Sequence, residues 1–235
     1  MSAIIDLAGE AKKNMSAIPM QPVEIDPQLR RIVAAGGTID LEIFTAEKIQ
    51  KIVFCTINMF DTGVLESTVM VWPDDNHNLP LLWCNLTIVP EVMNVPVFDF
   101  IPMIDFVVWP EYAEQYVACI QDLRDTALDI LGDTVINSAV NLPSLSVYTL
   151  SPYKLVATIT QEGIARVPQA SAGYIEKYVE LWQQARLIEG AEDKAYYLRK
   201  KAATSILMKA NDPGYAFMID VFGEEKTHEV FEQVF

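Results

Sequence analysis

Residues 64–89 read VLESTVMVWPDDNHNLPLLWCNLTIV. Two runs rich in β-branched and aromatic residues, 64–72 and 79–89, are split by the turn formers Asp74, Asp75 and Asn76. Residues of this kind suit a pleated, half-buried surface, and a short polar break between them favours an antiparallel return. The pattern continues in both directions. Upstream lie 39–44 and 49–59, punctuated by Thr45-Ala46 and Asp61-Thr62-Gly63; downstream, 95–106 follows Pro90-Glu91. The reading is a meander of antiparallel strands joined by short turns.

Helical patterns flank this block. Residues 3–16 predict a short amphipathic helix, and a second starts near Asp26-Pro27, where Asp caps and Pro suits the first turn, and stops at Gly36-Gly37. Tyr112, Tyr116, Cys119, Ile120, Leu123, Ala127 and Ile130 recur at helical spacing across 110–131. After a polar, irregular stretch, 153–160 reads as one more strand, and 171–187, 191–209 and 223–235 as helices. One strand block between helical blocks predicts a three-layer α/β/α sandwich around a central, mainly antiparallel sheet. No linker or repeat divides the chain, so 1–235 is expected to form a single domain, with 1–37 as peripheral N-terminal helices.

Composition narrows the function classes. The 235 residues are 51% hydrophobic and carry a formal net charge of −15, which repels phosphate backbones and anionic membranes. No Lys/Arg stripe with interleaved aromatics offsets it, so nucleic-acid binding is not expected. Residues 1–10 lack a basic segment and no run reaches the length of a membrane span, which predicts a cytoplasmic location. Cys55, Cys84 and Cys119 are odd in number and set in apolar sequence, as buried reduced thiols are. Gly-rich phosphate loops, Cys-x-x-Cys, His-Glu-x-x-His and Gly-x-Ser-x-Gly motifs are all missing from the sequence. Of the two histidines, His77 sits among Asp and Asn in a turn and His228 in the last helix.

Three stretches together resemble the ferredoxin-dependent bilin reductases. The first is Val71-Trp72-Pro73 with Leu79-Pro80-Leu81-Leu82-Trp83-Cys84-Asn85-Leu86. The second is Phe98-Asp99-Phe100-Ile101-Pro102-Met103, leading to Glu111-Tyr112-Ala113-Glu114-Gln115-Tyr116. The third is Asn211-Asp212-Pro213-Gly214-Tyr215 with Val221-Phe222-Gly223-Glu224-Glu225. Their order and spacing extend the resemblance over residues 40–235. It implies a linear tetrapyrrole such as biliverdin held between the sheet and the C-terminal helices, single electrons supplied by ferredoxin, and no tightly bound metal or flavin. Electrons added to a conjugated tetrapyrrole build negative charge, so an acid near the pigment must deliver protons.

Carried over without gaps, the family's sheet carboxylate falls at Asn85, and its two preceding strand positions at Thr56 and Thr68. Asn and Thr hydrogen-bond to pyrrole nitrogens or lactam oxygens but do not titrate near neutral pH. Asp212 is the one matching carboxylate, so the resemblance makes it the main acid, with Asn85 beside it; Asp before Pro213 is equally suited to cap a helix. The propionate-gripping arginine falls near Thr158, with Arg166 as a substitute, and Trp83 is a pocket wall. Lys194, Arg199, Lys200, Lys201 and Lys209 cluster on one expected helix, which is either a solvated face or a docking patch for an acidic ferredoxin. Loss of the family acids leaves a second reading open: a tetrapyrrole carrier that no longer reduces its ligand.

Overall fold

In a computed structural model the described residues are 7–105, 107–140 and 149–235. The start of the expected first helix (3–6), Phe106 and part of the irregular stretch (141–148) lie outside them. The chain runs through α1 (Leu7–Asn14), β1 (Gln21–Pro22), α2 (Pro27–Arg30), β2 (Arg31–Ala34), β3 (Gly37–Ala46), β4 (Ile49–Met59), β5 (Leu65–Pro73), β6 (Leu81–Val89) and β7 (Met93–Ile101). There follow α3 (Pro110–Tyr112), a π turn (Ala113–Val117), α4 (Ala118–Leu131), β8 (Val135–Asn137), β9 (Leu155–Val156) and β10 (Thr158–Ile159). Helices α5 (Val167–Gln184), α6 (Ala191–Asn211), α7 (Gly214–Phe222) and α8 (Glu224–Val234) complete it.

The sheet runs β1-β3-β4-β5-β6-β7-β10-β8, with β2 on β3 and β9 on β7, and every pairing is antiparallel. Residues directly opposite one another share a face. The row Phe54–Val69–Cys84–Phe98 therefore lines one face. Tyr174 and Tyr178 of α5 pack there on Phe98 and Phe100 in tilted and edge-to-face pairs, all of them fully enclosed. The neighbouring row Cys55–Thr68–Asn85–Val97 lines the other face, beneath α7 and α8. Trp72 fixes α8 to that side by donating its indole N–H to the Val234 carbonyl at 3.0 Å. The expected three-layer sandwich with a mainly antiparallel sheet is thus present.

The clearest departure lies at 27–37. Asp26 does cap a helix, accepting the Gln28 amide at 2.9 Å, but that helix ends at Arg30. Arg31–Ala34 alternate outward and inward and pair with β3 through a turn at Ala35-Gly36. Two β-branched residues, Ile32 and Val33, plus a free edge on β3 outweigh the weak helical pattern, and Gly-Gly serves a hairpin rather than a helix stop. Gly37 is also needed sterically, because a Cβ there would lie 2.5 Å from the Asn58 carbonyl oxygen and 2.9 Å from the Phe222 ring. Gly37→Ala is expected to lower stability by about 1–3 kcal/mol, as overpacking of a closed site does. Urea unfolding followed by circular dichroism checks it; an unchanged midpoint would contradict the close approach.

Smaller differences follow from packing. The strand expected at 95–106 spans Met93–Ile101, and that at 153–160 splits into β9 and β10, both paired with β7, β10 with β8 as well. The helix over 110–131 exists but takes a π turn at Ala113–Val117. Helix α7 has no counterpart in the sequence reading.

Candidate functional site

Strand alternation decides which side chains reach the space under α7 and α8. On β4 these are Cys55 and Ile57, on β5 Glu66 and Thr68, and on β6 Trp83 and Asn85. Met218 of α7, and Val230, Phe231 and Val234 of α8 with Phe235 after it, close the cleft from above. Asp212, at the junction of α6 and α7, enters from the end. The void left between these side chains is about 20 Å³, room for one water.

The polar floor is a connected network. Thr68 Oγ1 and Asn85 Nδ2 each donate to Glu66 Oε1, both at 3.1 Å, and Thr87 Oγ1 donates to Asn85 Oδ1 at 3.3 Å. Thr68 and Asn85 are buried, so Glu66 is their main outlet for hydrogen bonding. Asp212 is held separately: its Oδ1 accepts the Gly214 amide at 2.7 Å, an Asx turn that leads into α7, whose N-cap is Pro213. The turn role of Asp212 is compatible with a place in the cleft, which its side chain lines. A methyl group placed on Gly214 would lie 3.0 Å from Asp212 Oδ1 and 3.5 Å from Glu66 Oε2, so the two carboxyl groups converge beside that glycine.

Burial raises both acids, and the charge of Asp212 adds to it at Glu66. Glu66 is pushed up by loss of solvation and by the Asp212 charge, against the pull of the Thr68 and Asn85 bonds. Asp212 is raised by burial, against its Gly214 bond. The Cys55 thiol beside them is pushed well up by burial and by the Glu66, Asp40 and Asp212 charges, so it stays neutral. Asp99 on β7 is a further buried acid, accepting the Ser151 amide at 2.7 Å and its hydroxyl at 2.5 Å; burial pushes it up to about 6.

Of the residues singled out in the sequence, Asp212, Asn85, Thr68 and Trp83 meet in this cleft. Thr56 does not. Its register partners are Asp40 and Ser67, on the α5 side of the sheet, while Cys55 and Ile57 flank it toward the cleft. A gapless transfer that is off by one residue on a strand turns the side chain to the opposite face. Thr158 stands on β10 beyond β7, outside the cleft lining. Arg166 is engaged elsewhere, donating at 2.9 Å to the Leu131 carbonyl and to Asp133, where it covers the C-terminus of α4. Glu66 was not singled out by sequence, although it lies two residues before Thr68 on the same strand and hence on the same face.

The basic side chains of α6 do not form one free patch. Lys201 is buried against Asp75 at 2.7 Å, and Lys194 donates to Asn76 at 2.8 Å, so the seven-residue spacing points both at the β5–β6 turn. Lys209 pairs with Glu232 at 2.6 Å. Lys200 is partly enclosed, its pKa lowered by burial although Asp105 opposes this, while Arg199 is exposed. His77 follows the turn reading, its amide and ring both bonded to Asp74.

An antiparallel sandwich whose C-terminal helices roof an acid-bearing cleft defines a class of protein, and the sequence agrees with it. The profile of the family described as ferredoxin-dependent bilin reductase matches residues 8–235. The chain belongs to that family. Among curated relatives, the 15,16-dihydrobiliverdin:ferredoxin oxidoreductase of Nostoc punctiforme is 23% identical over 219 residues, covering 91% of this chain and 86% of the relative. Among solved structures, phytochromobilin synthase from tomato in complex with biliverdin superimposes with a TM-score of 0.79 at 17% identity, over 97% of this chain and 80% of that one. Among the described residues, no helix is long and apolar enough to cross a membrane.

Proposed function

We propose that this protein reduces a bilin or related open-chain tetrapyrrole with electrons from ferredoxin, in the cleft between β4–β6 and the α7–α8 pair. The observation that carries the reading is convergence. Asp212 from the third motif and Trp83 and Asn85 from the first, distant in sequence, meet at one largely apolar site that holds half-buried carboxyl groups. Such a site suits a flat, conjugated ligand whose reduction demands protons. The family supports electrons from ferredoxin, and the tomato relative with its biliverdin supports a pigment of that size.

Each residue then has a task. Asp212 is the acid beside the pigment. Asn85 and Thr68 order the polar floor and offer hydrogen bonds to pyrrole or lactam groups, while Trp83 walls the cleft. A pigment cannot enter the void as it stands. Phe231 and Phe235, in tilted contact with ring centroids 5.3 Å apart at the roof, have to swing away, and their displacement makes room over Cys55, Thr68 and Asn85.

Titrating the protein with biliverdin tests the binding half of this reading. A shifted and sharpened visible spectrum that saturates at one equivalent is expected; free-pigment absorbance at stoichiometric protein would remove biliverdin as the ligand. A complex that persists unchanged with reduced ferredoxin would leave a carrier in place of a reductase.

A further inference from the structure

We propose that Glu66 is the second acid of the reaction: it and Asp212 hold one proton between them in the resting cleft, and the pair passes that proton to the bilin. The inference deepens the proposed function and rests on it for the identity of the acceptor. Three observations carry it. Both donors of the polar floor, Thr68 and Asn85, serve the same oxygen, Oε1, which leaves Oε2 as the free corner of Glu66. That corner and Asp212 Oδ1 lie 3.5 and 3.0 Å from the point where a Cβ on Gly214 would stand. Phe231, Val230 and Met218 cover them, so water is scarce and two ionised carboxylates would face each other in an apolar cleft. One proton relieves that repulsion, as in other close carboxyl pairs.

The groups facing the pair are few. Cys55 on β4 is the other titratable side chain in the cleft and stays neutral. Helices α7 and α8 bring Met218, Val230, Phe231, Val234 and Phe235, which carry no charge in their side chains. Asp40 lies on the far face of β3. No cationic side chain lines the cleft among the described residues, so a proton is the counter-charge at hand.

The step balances as follows. Reduced ferredoxin, a one-electron donor, is oxidised and the bilin becomes a radical anion. The O–H bond of the carboxyl pair breaks, a new bond to hydrogen forms on the pigment, and both carboxylates are left ionised. Their repulsion draws a proton from solvent before the second electron arrives. Two such rounds add two electrons and two protons to one double bond.

Infrared titration of the bilin-free protein reads the pair without turnover. Wild type minus Glu66→Gln is expected to reveal a protonated carboxyl band at neutral pH that disappears in a single further step as pH rises, the pair's other proton having left in acid; Asp99 contributes equally to both proteins and cancels. In Glu66→Gln the alkaline limb of kcat/KM should move to lower pH, because Asp212 without its charged neighbour gives up its proton more readily. Turnover at neutral pH should fall at least tenfold, with a longer-lived bilin radical, and Glu66→Asp should restore part of it. Gln keeps the acceptor for Thr68 and Asn85, so pigment affinity should hold. An identical infrared titration in the variant, or an unshifted pH profile with full turnover, would overturn the inference while leaving bilin reduction standing. A wild-type protein that reduces no bilin would overturn the functional reading, and the infrared result would then judge the shared proton by itself.

Discussion

Asp212→Asn is expected to lower bilin turnover at neutral pH by about 100-fold or more, the usual loss when a positioned general acid is removed. Asn keeps the acceptor oxygen that binds the Gly214 amide, so the α6–α7 junction should stay in place. The pigment should still bind, because the apolar lining from Trp83 to Phe231 is untouched. Anaerobic kinetics with reduced ferredoxin separate these parts: kcat falls while the binding spectrum and KM change little. Loss of binding together with turnover would assign Asp212 to the architecture of the cleft rather than to proton delivery.

A second large effect concerns stability and pH through Asp99. This acid is fully buried on β7, where burial pushes it up to about 6 from an ordinary value of 3.8. The folded state therefore holds its proton more tightly than the unfolded chain does. The stabilising contribution is complete below the unfolded value and is lost as pH rises through the folded one. A shift of about two units corresponds to roughly 3 kcal/mol, concentrated between about pH 4 and 6. Glu66 and Asp212 act in the same direction. Urea unfolding of wild type and Asp99→Asn across this range isolates the Asp99 part. Asn retains partners for the Ser151 amide and hydroxyl, so the variant should lose up to about 3 kcal/mol of the wild-type decline. Parallel stability curves would mean that Asp99 is ionised at no cost in both states.

The chemistry that placed these groups was legible to different depths in the sequence. Alternation and turn residues located the five central strands, because 39–59, 64–89 and 93–101 pair in long antiparallel registers, shifted only near Thr45 and Gln50. Residues 27–37 were misleading, since Gly36-Gly37 suits a helix stop and a hairpin equally and only pairing with β3 decides between them. Helix α7 went unread because its run of Tyr215, Phe217, Met218, Ile219, Val221 and Phe222 has no polar alternation to mark a period. For the cleft, Asp212, Asn85, Thr68 and Trp83 were found through resemblance, whereas Thr56 failed by the one-residue offset that reverses a strand's faces. Glu66 had a signal of its own. An acid spaced two residues from Thr68 on a strand must share its face, and a carboxylate on a covered face needs a reason.

Ferredoxin docking is a separate matter from the lysines first grouped on α6. Lys194 and Lys201 are committed to the Asp74–Asn76 turn, which leaves Arg199 and Lys200 near Asp105 as the cations of that helix available at a surface.

Single-turnover reduction separates a bilin reductase from a bilin carrier. The protein is loaded with one equivalent of biliverdin under anaerobic conditions, chemically reduced ferredoxin is added, and visible spectra are taken with time. The account predicts passage through a bilin radical to a product with shortened conjugation, its absorbance moved to shorter wavelength. A biliverdin spectrum that binds, persists and outlasts many equivalents of reduced ferredoxin would contradict it.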